Sequence, residues 1–191
     1  MAKIIQLEHK LEACLVRLKK EFGLCAVKAE FEAEGASFRD LVRLRRLTTR
    51  HNISLYLKIG GVEALRDIKD AFVIGVDGLV APMVESRFGV IKFTNAVKSV
   101  FSNQTIFKSI NLETCNAVEC VDEILDEAKD KVDNITIGRT DLSQSYLDSK
   151  IQPDSEFIFD LIEKLSHKVH ASGLSLTVGG SITKGSIERF K

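Results

Sequence analysis

The chain has 191 residues, 45% of them hydrophobic and 28% charged, with 27 basic side chains balancing 27 acidic ones. That length supports one sizeable core, and the balanced charge builds no field for nucleic acid or an anionic membrane. Four scattered cysteines (Cys14, Cys25, Cys115, Cys120) with no CxxC pair argue against a disulfide frame and for reduced thiols in a cytoplasmic protein.

In chain order, apolar residues first recur at Ile4, Leu7, Leu11, Leu15 and Leu18, with lysines and glutamates between. That is helical spacing, and Gly23 ends it. This start lacks the uninterrupted apolar stretch of a signal peptide, and no run in the chain approaches the roughly 20 residues of a membrane span. A strand is expected over about 24–31, where Lys28, Glu30, Glu32 and Glu34 alternate onto one face. An unpaired buried charge is costly, so Lys28 and Glu30 are the natural pair. A helix over about 37–50 leads to a strand over about 54–59. Lys58 closes that strand as its one cation. It could neutralise an enolate or carboxylate oxygen, or form an ion pair with Glu30 or Glu113.

The pattern then repeats. A helix at about 62–74 is followed by a strand at about 78–84, apolar on both faces as in a parallel strand covered on both sides. Helices are expected near 86–100, 115–130, 154–171 and 183–190, and strands near 105–112, 134–139 and 174–179. No linker or low-complexity segment interrupts the alternation. The chain is therefore expected to be an N-terminal helix (1–23) leading into one (β/α) domain (24–191).

Two acidic residues follow two of these strands, Glu113 and Asp141. A helix and a parallel strand separate them, so both carboxylates should emerge at one rim. Two hard oxygen ligands there suit Mg²⁺ or Mn²⁺. The alternative is that each caps the helix after it. Arg139 could meet a substrate carboxylate or a salt-bridge partner. Gly179 and Gly180 turn the last strand toward a helix, where backbone amides could cradle an anion or simply make a turn. His167 and His170 belong to the surface of an amphipathic helix. No histidine falls at a strand end, so no general base of that type is visible. GxSxG, Walker and GxGxxG motifs are absent. Polar residues at the ends of many different strands favour a TIM-type barrel over a doubly wound sheet. Only about six βα units are visible, where a closed barrel needs eight, so the barrel is expected to be incomplete. An open strand edge favours a homo-oligomer.

Three segments carry a resemblance. Gly75-Val76-Asp77-Gly78-Leu79-Val80-Ala81-Pro82-Met83-Val84-Glu85-Ser86 resembles the third-strand signature of the HpcH/HpaI aldolase and citrate lyase beta-subunit family. Asn111-Leu112-Glu113-Thr114 resembles its metal-glutamate motif, and Ile137-Gly138-Arg139-Thr140-Asp141-Leu142-Ser143 its metal-aspartate motif. The resemblance implies a TIM barrel, Mg²⁺ or Mn²⁺ held by Glu113 and Asp141, and 2-oxo acid or acyl-CoA substrates that pass through an enolate. Lys58 falls where the family usually has a substrate-binding arginine. The segment Glu30–Gly35 falls where the aldolases have a catalytic histidine, and it contains none.

The leading expectation is thus a metal-dependent carbon–carbon lyase or aldolase. Lys58, with Arg139, would balance enolate charge, a metal-bound water or Glu30 or Glu32 would transfer protons, and Lys28, Lys58, Arg139, Gly179 and Gly180 would bind substrate. The partner is a small molecule, not nucleic acid or membrane. Two other readings stay open: a phosphoenolpyruvate or phosphate-handling enzyme on the same scaffold, and an inactive ligand-binding barrel fragment.

Overall fold

The computed structural model describes residues 2–31, 34–102 and 104–190. Helix α1 (Ala2–Phe22) precedes six strands: β1 (Ala26–Glu30), β2 (Ser54–Lys58), β3 (Gly78–Ala81), β4 (Phe107–Leu112), β5 (Asn134–Gly138) and β6 (Ser175–Gly179). Between and after them come α2 (Phe38–Arg50), α3 (Leu65–Ile74), α4 (Arg87–Phe101), α5 (Cys115–Glu119), α6 (Val121–Ala128), α7 (Arg139–Ser145), α8 (Glu156–Ala171) and α9 (Lys184–Arg189). Every strand pairs in parallel with the next, in the order β1-β2-β3-β4-β5-β6. A doubly wound sheet reverses its strand order at a switch point. This one never reverses, and it curls into a half-barrel, the incomplete TIM-type architecture that the sequence implied.

Strand alternation sorts the side chains. Leu55, Leu57, Leu79, Ala81, Ile110, Leu112, Ile135 and Ile137 are buried on the outer face of the sheet. They join Ile68, Phe93, Val97, Ile124, Ile158 and Leu165 of the helices in one apolar cluster. Each Leu, Ile, Val or Phe among them is worth about 1.5–3 kcal/mol when fully buried, so this layer is a main source of stabilisation. The alternate residues face the hollow of the curl and are mostly polar.

Local signals fix the helix ends. Ser37 and Asp40 form a reciprocal capping box at α2. Ser86 caps α4 and Thr114 caps α5. Gly75 closes α3 in the left-handed conformation at φ 74°. Helix α1 docks through Leu15 onto Leu47 and Ile53. Charged contacts flank that patch: Glu8 with Arg43 and Arg46, Glu12 with His51 and Arg50, and the Lys19 ammonium on the carbonyls of His51 and Asn52.

Three local expectations change. Strand β1 stops at Glu30, so Glu34 sits exposed in a turn instead of continuing the strand face, and Glu32 lies outside the described residues. The single helix expected over 115–130 is two, meeting at Cys120. A helix that the pattern did not predict, α7, starts directly after β5, and Asp141 stands in its first turn.

Candidate active site

The hollow of the half-barrel is a cavity of about 600 Å³. Its wall contains Lys28 and Glu30 of β1, Tyr56 and Lys58 of β2, and Val80 of β3. It continues through Ser109, Asn111 and Glu113 at β4, Asn134, Thr136 and Gly138 of β5, and Asp141 of α7. Thr177, Gly179 and Gly180 at β6 complete that side. Of the nine expected site residues, seven therefore line one space. Arg139 does not, and Glu32 is outside the described residues.

Glu113 is 2% exposed. Its Oε1 accepts the Met83 amide at 3.0 Å and its Oε2 accepts Asn111 Nδ2 at 2.9 Å. Neither bond is a helix cap; Thr114 does that work for α5. Met83 holds a left-handed φ of 50°, a strained conformation for a non-glycine residue, and so turns its N–H onto the carboxylate. Gly138, beside Glu113 across the β4–β5 pair, must lack a side chain. A Cβ there would lie 2.5 Å from Glu113 Oε2. Among the described residues Asp141 likewise binds no first-turn amide; α7 starts at Arg139, and its N-cap, Gly138, supplies no side-chain cap. Among the described residues, neither carboxylate has a basic partner within ion-pair distance. A buried carboxylate without a cation is costly. One more group is left over: Asn111 Oδ1 is buried and accepts no hydrogen bond among the described residues. Among the described residues, no three acidic, histidine or cysteine side chains gather to enclose an ion. Two carboxylates would leave the remaining positions of a hard cation to solvent or substrate oxygens, as Mg²⁺ sites commonly do.

The β1–β2 side of the cavity is basic. Glu30, its side chain 7% exposed, takes Lys28 Nζ at 3.2 Å and Lys58 Nζ at 3.6 Å, both on Oε2. Register puts Glu30 beside Lys58 and Lys28 beside Tyr56. The Tyr56 ring stacks on Phe107 with centroids 4.8 Å apart and planes 10° off parallel. The strand between them contributes Gly78, where a Cβ would fall 2.7 Å from the Tyr56 ring. Burial is the main cause holding the Tyr56 phenol above its ordinary value; charges at Cys25, Asp77 and Asp133 add to it. Tyr56 is therefore a neutral donor at physiological pH.

Hydroxyl and amide groups connect the cavity floor. Asn134 Nδ2 donates to Ser109 Oγ and Thr136 Oγ1, and Asn134 Oδ1 accepts from Ser175 and Thr177. Alternation within β4, β5 and β6 foretells this network, yet it escapes a reading that stops at strand ends.

Arg139 is fully buried and spent elsewhere. Nε and Nη2 donate to Gly180 O, Nη2 also to Ser181 O, and Nη1 to Pro153 O and to Asp154 Oδ1 at 2.7 Å. The guanidinium binds the β5–α7 junction to the turn after β6 instead of facing the cavity. Gly180, at φ 83°, gives Arg139 its carbonyl and packs where a Cβ would lie 2.7 Å from Thr140 N. Gly179 brings plain backbone to the cavity wall.

The profile of the HpcH/HpaI aldolase/citrate lyase family matches residues 46–178. No curated protein gives a significant match. Solved structures share the fold. An HpcH/HpaI aldolase from Desulfitobacterium hafniense DCB-2 is 20% identical, with a TM-score of 0.74 over 91% of this chain and 77% of its own. An HpcH/HpaI aldolase/citrate lyase family protein from Burkholderia cenocepacia J2315 is 13% identical, with a TM-score of 0.74 over 93% and 79%. The citrate synthase SbnG is 18% identical, with a TM-score of 0.73 over 96% and 77%.

Proposed function

This chain belongs to the HpcH/HpaI aldolase/citrate lyase family, and from that premise we propose that it is a divalent-metal-dependent carbon–carbon lyase or aldolase acting on a 2-oxo acid or acyl-CoA-type substrate. The observation that supports this most is a pair of carboxylates, Glu113 and Asp141, on one cavity wall with no basic partner among the described residues, while two lysines stand on β1 and β2. The unpaired buried carboxylate of Glu113 and the orphaned Asn111 Oδ1 fit a bound cation nearby. Glu113 and Asp141 would hold Mg²⁺ or Mn²⁺, and an ion there supplies polarisation of a substrate carbonyl.

The other residues act around that centre. Asn111 and the Met83 amide hold Glu113 in one orientation. Lys58 and Lys28 offer positive charge to a substrate carboxylate or to a developing enolate, with Glu30 keeping the two ammonium groups together. Lysine lacks the bidentate fork of arginine, so recognition here is by charge more than by planar geometry. Glu30, or Glu32, is the carboxylate at hand for proton transfer on the β1 side. Gly179 leaves room at the β6 edge. Arg139 positions Asp141 two residues away by anchoring the first turn of α7.

Titration calorimetry with Mn²⁺ tests the centre. Glu113→Ala and Asp141→Ala should each abolish tight Mn²⁺ binding, with circular dichroism unchanged. Undiminished affinity in both variants would overturn the assignment.

A further inference from the structure

The charges that line the cavity limit what it can hold. Lys28 and Lys58 stand against three carboxylates, those of Glu30, Glu113 and Asp141. The wall among the described residues therefore has one negative charge in excess. A divalent cation at Glu113 and Asp141, the reading on which this step rests, turns that into one positive charge. A single substrate carboxylate balances it. A second carboxylate or a phosphate would enter with no cation left to meet it, and burying an uncompensated charge is costly. The deeper part of the hollow is apolar on one side. Tyr56 stands two residues before Lys58 on the same face of β2, about 6.6 Å further from the rim along the strand. Register continues its row through Gly78 to Phe107. Gly78 adds no side chain to part the rings: a Cβ there would lie 2.7 Å from the Tyr56 ring and 3.2 Å from Phe107 Cβ. The two rings meet across it with centroids 4.8 Å apart. Val80, beside Lys58 on β3, extends this patch toward the rim. Lys28 shares the row of Tyr56, but its ammonium reaches Glu30. At about 600 Å³ the cavity exceeds the needs of a three-carbon acid; sites of roughly 300–1,000 Å³ enclose drug-sized ligands.

We propose that the substrate is a monoanionic 2-oxo acid with an uncharged aromatic tail, and that Tyr56 and Phe107 form the subsite for that tail, with Gly78 making room for their stack. The substrate carboxylate stays at the rim, near Lys58. The tail runs inward past Val80 to the two rings. Aromatic groups gain there from edge or face contact beyond the area they bury, which an aliphatic tail does not. No bond forms or breaks at this subsite; it selects the substrate. The same charge balance disfavours dicarboxylates and phosphorylated acids.

The test is calorimetry on the Mn²⁺-loaded protein with three acids: pyruvate, 2-oxoglutarate and 2-oxo-4-phenylbutanoate. The phenyl acid should bind about tenfold tighter than pyruvate or better. The dicarboxylate 2-oxoglutarate should bind no tighter than pyruvate. Tyr56→Leu and Phe107→Leu should each cut the phenyl-to-pyruvate affinity ratio about threefold or more, whereas Tyr56→Phe should keep it. A purely structural role would weaken both acids together and leave the ratio where it was. Equal affinity of the wild-type protein for pyruvate and the phenyl acid, tighter binding of 2-oxoglutarate than of the phenyl acid, or a ratio untouched by both leucine variants would overturn the proposal. Titrating Mn²⁺ alone beforehand separates the two readings. Normal Mn²⁺ uptake with no preference for the tail sinks the subsite only; absent Mn²⁺ uptake sinks the metal centre and the charge balance that depends on it.

Discussion

A missing side chain decides the geometry around Glu113. Gly138 leaves the gap into which that carboxylate fits. Gly138→Ala should lower stability by about 1–3 kcal/mol through overpacking and displace the carboxylate, seen as a lower urea midpoint together with weaker Mn²⁺ binding. Arg139 is the opposite case, a large buried cation whose five N–H donors all find partners. Arg139→Met should cost on the order of 3 kcal/mol in chemical denaturation, because the carbonyls of Gly180, Ser181 and Pro153 lose their donors together. Arg139→Lys should recover little of that, since a point charge cannot serve a fork. The sequence showed an arginine two residues before an aspartate. It could not show that the partners sit 41 and 42 residues further on, in a turn brought back by strand pairing. Glu113 was more legible, because an acidic residue directly after an apolar run has few places to go.

Elements with a strong period emerged from the sequence nearly whole. All six strands and the longer helices lie within a few residues of their expected spans. Helix α7 did not emerge. Its sequence, Arg139-Thr140-Asp141-Leu142-Ser143-Gln144-Ser145, holds one apolar residue and begins without a side-chain cap. Only burial of Leu142 and the Arg139 anchor make it a helix. The seam between α1 and α2 is marked by charge as much as by Leu15. Glu12 is held below the usual carboxylate range, first by the hydrogen bond from His51 and then by Arg50. A depressed carboxylate contributes stability above its ordinary value and loses it as pH falls through the lowered one. Hydrogen exchange in α1 should therefore speed up on acidification through that range, while Glu12→Gln should exchange faster at neutral pH and lose most of the pH dependence.

At the scale of the whole molecule, a strictly sequential parallel order makes a curl and leaves β1 and β6 each paired on one side only among the described residues. Unpaired edges invite pairing with another chain. Size exclusion with light scattering should report an assembly larger than one chain; a concentration-independent monomer would refute that. The curl itself was readable because charged and polar residues close so many separate strands. The polar lining of its hollow was harder to foresee, since each strand adds only two or three residues and the network exists only once neighbours are in register. One consequence is practical. The chain has no tryptophan and two tyrosines. Tyr146 packs edge-on against Phe157, away from the hollow, while Tyr56 lies flat on Phe107 in its wall. One of the protein's two tyrosines thus looks directly into the space where chemistry would occur, and occupancy there can be followed by tyrosine emission, with no label attached.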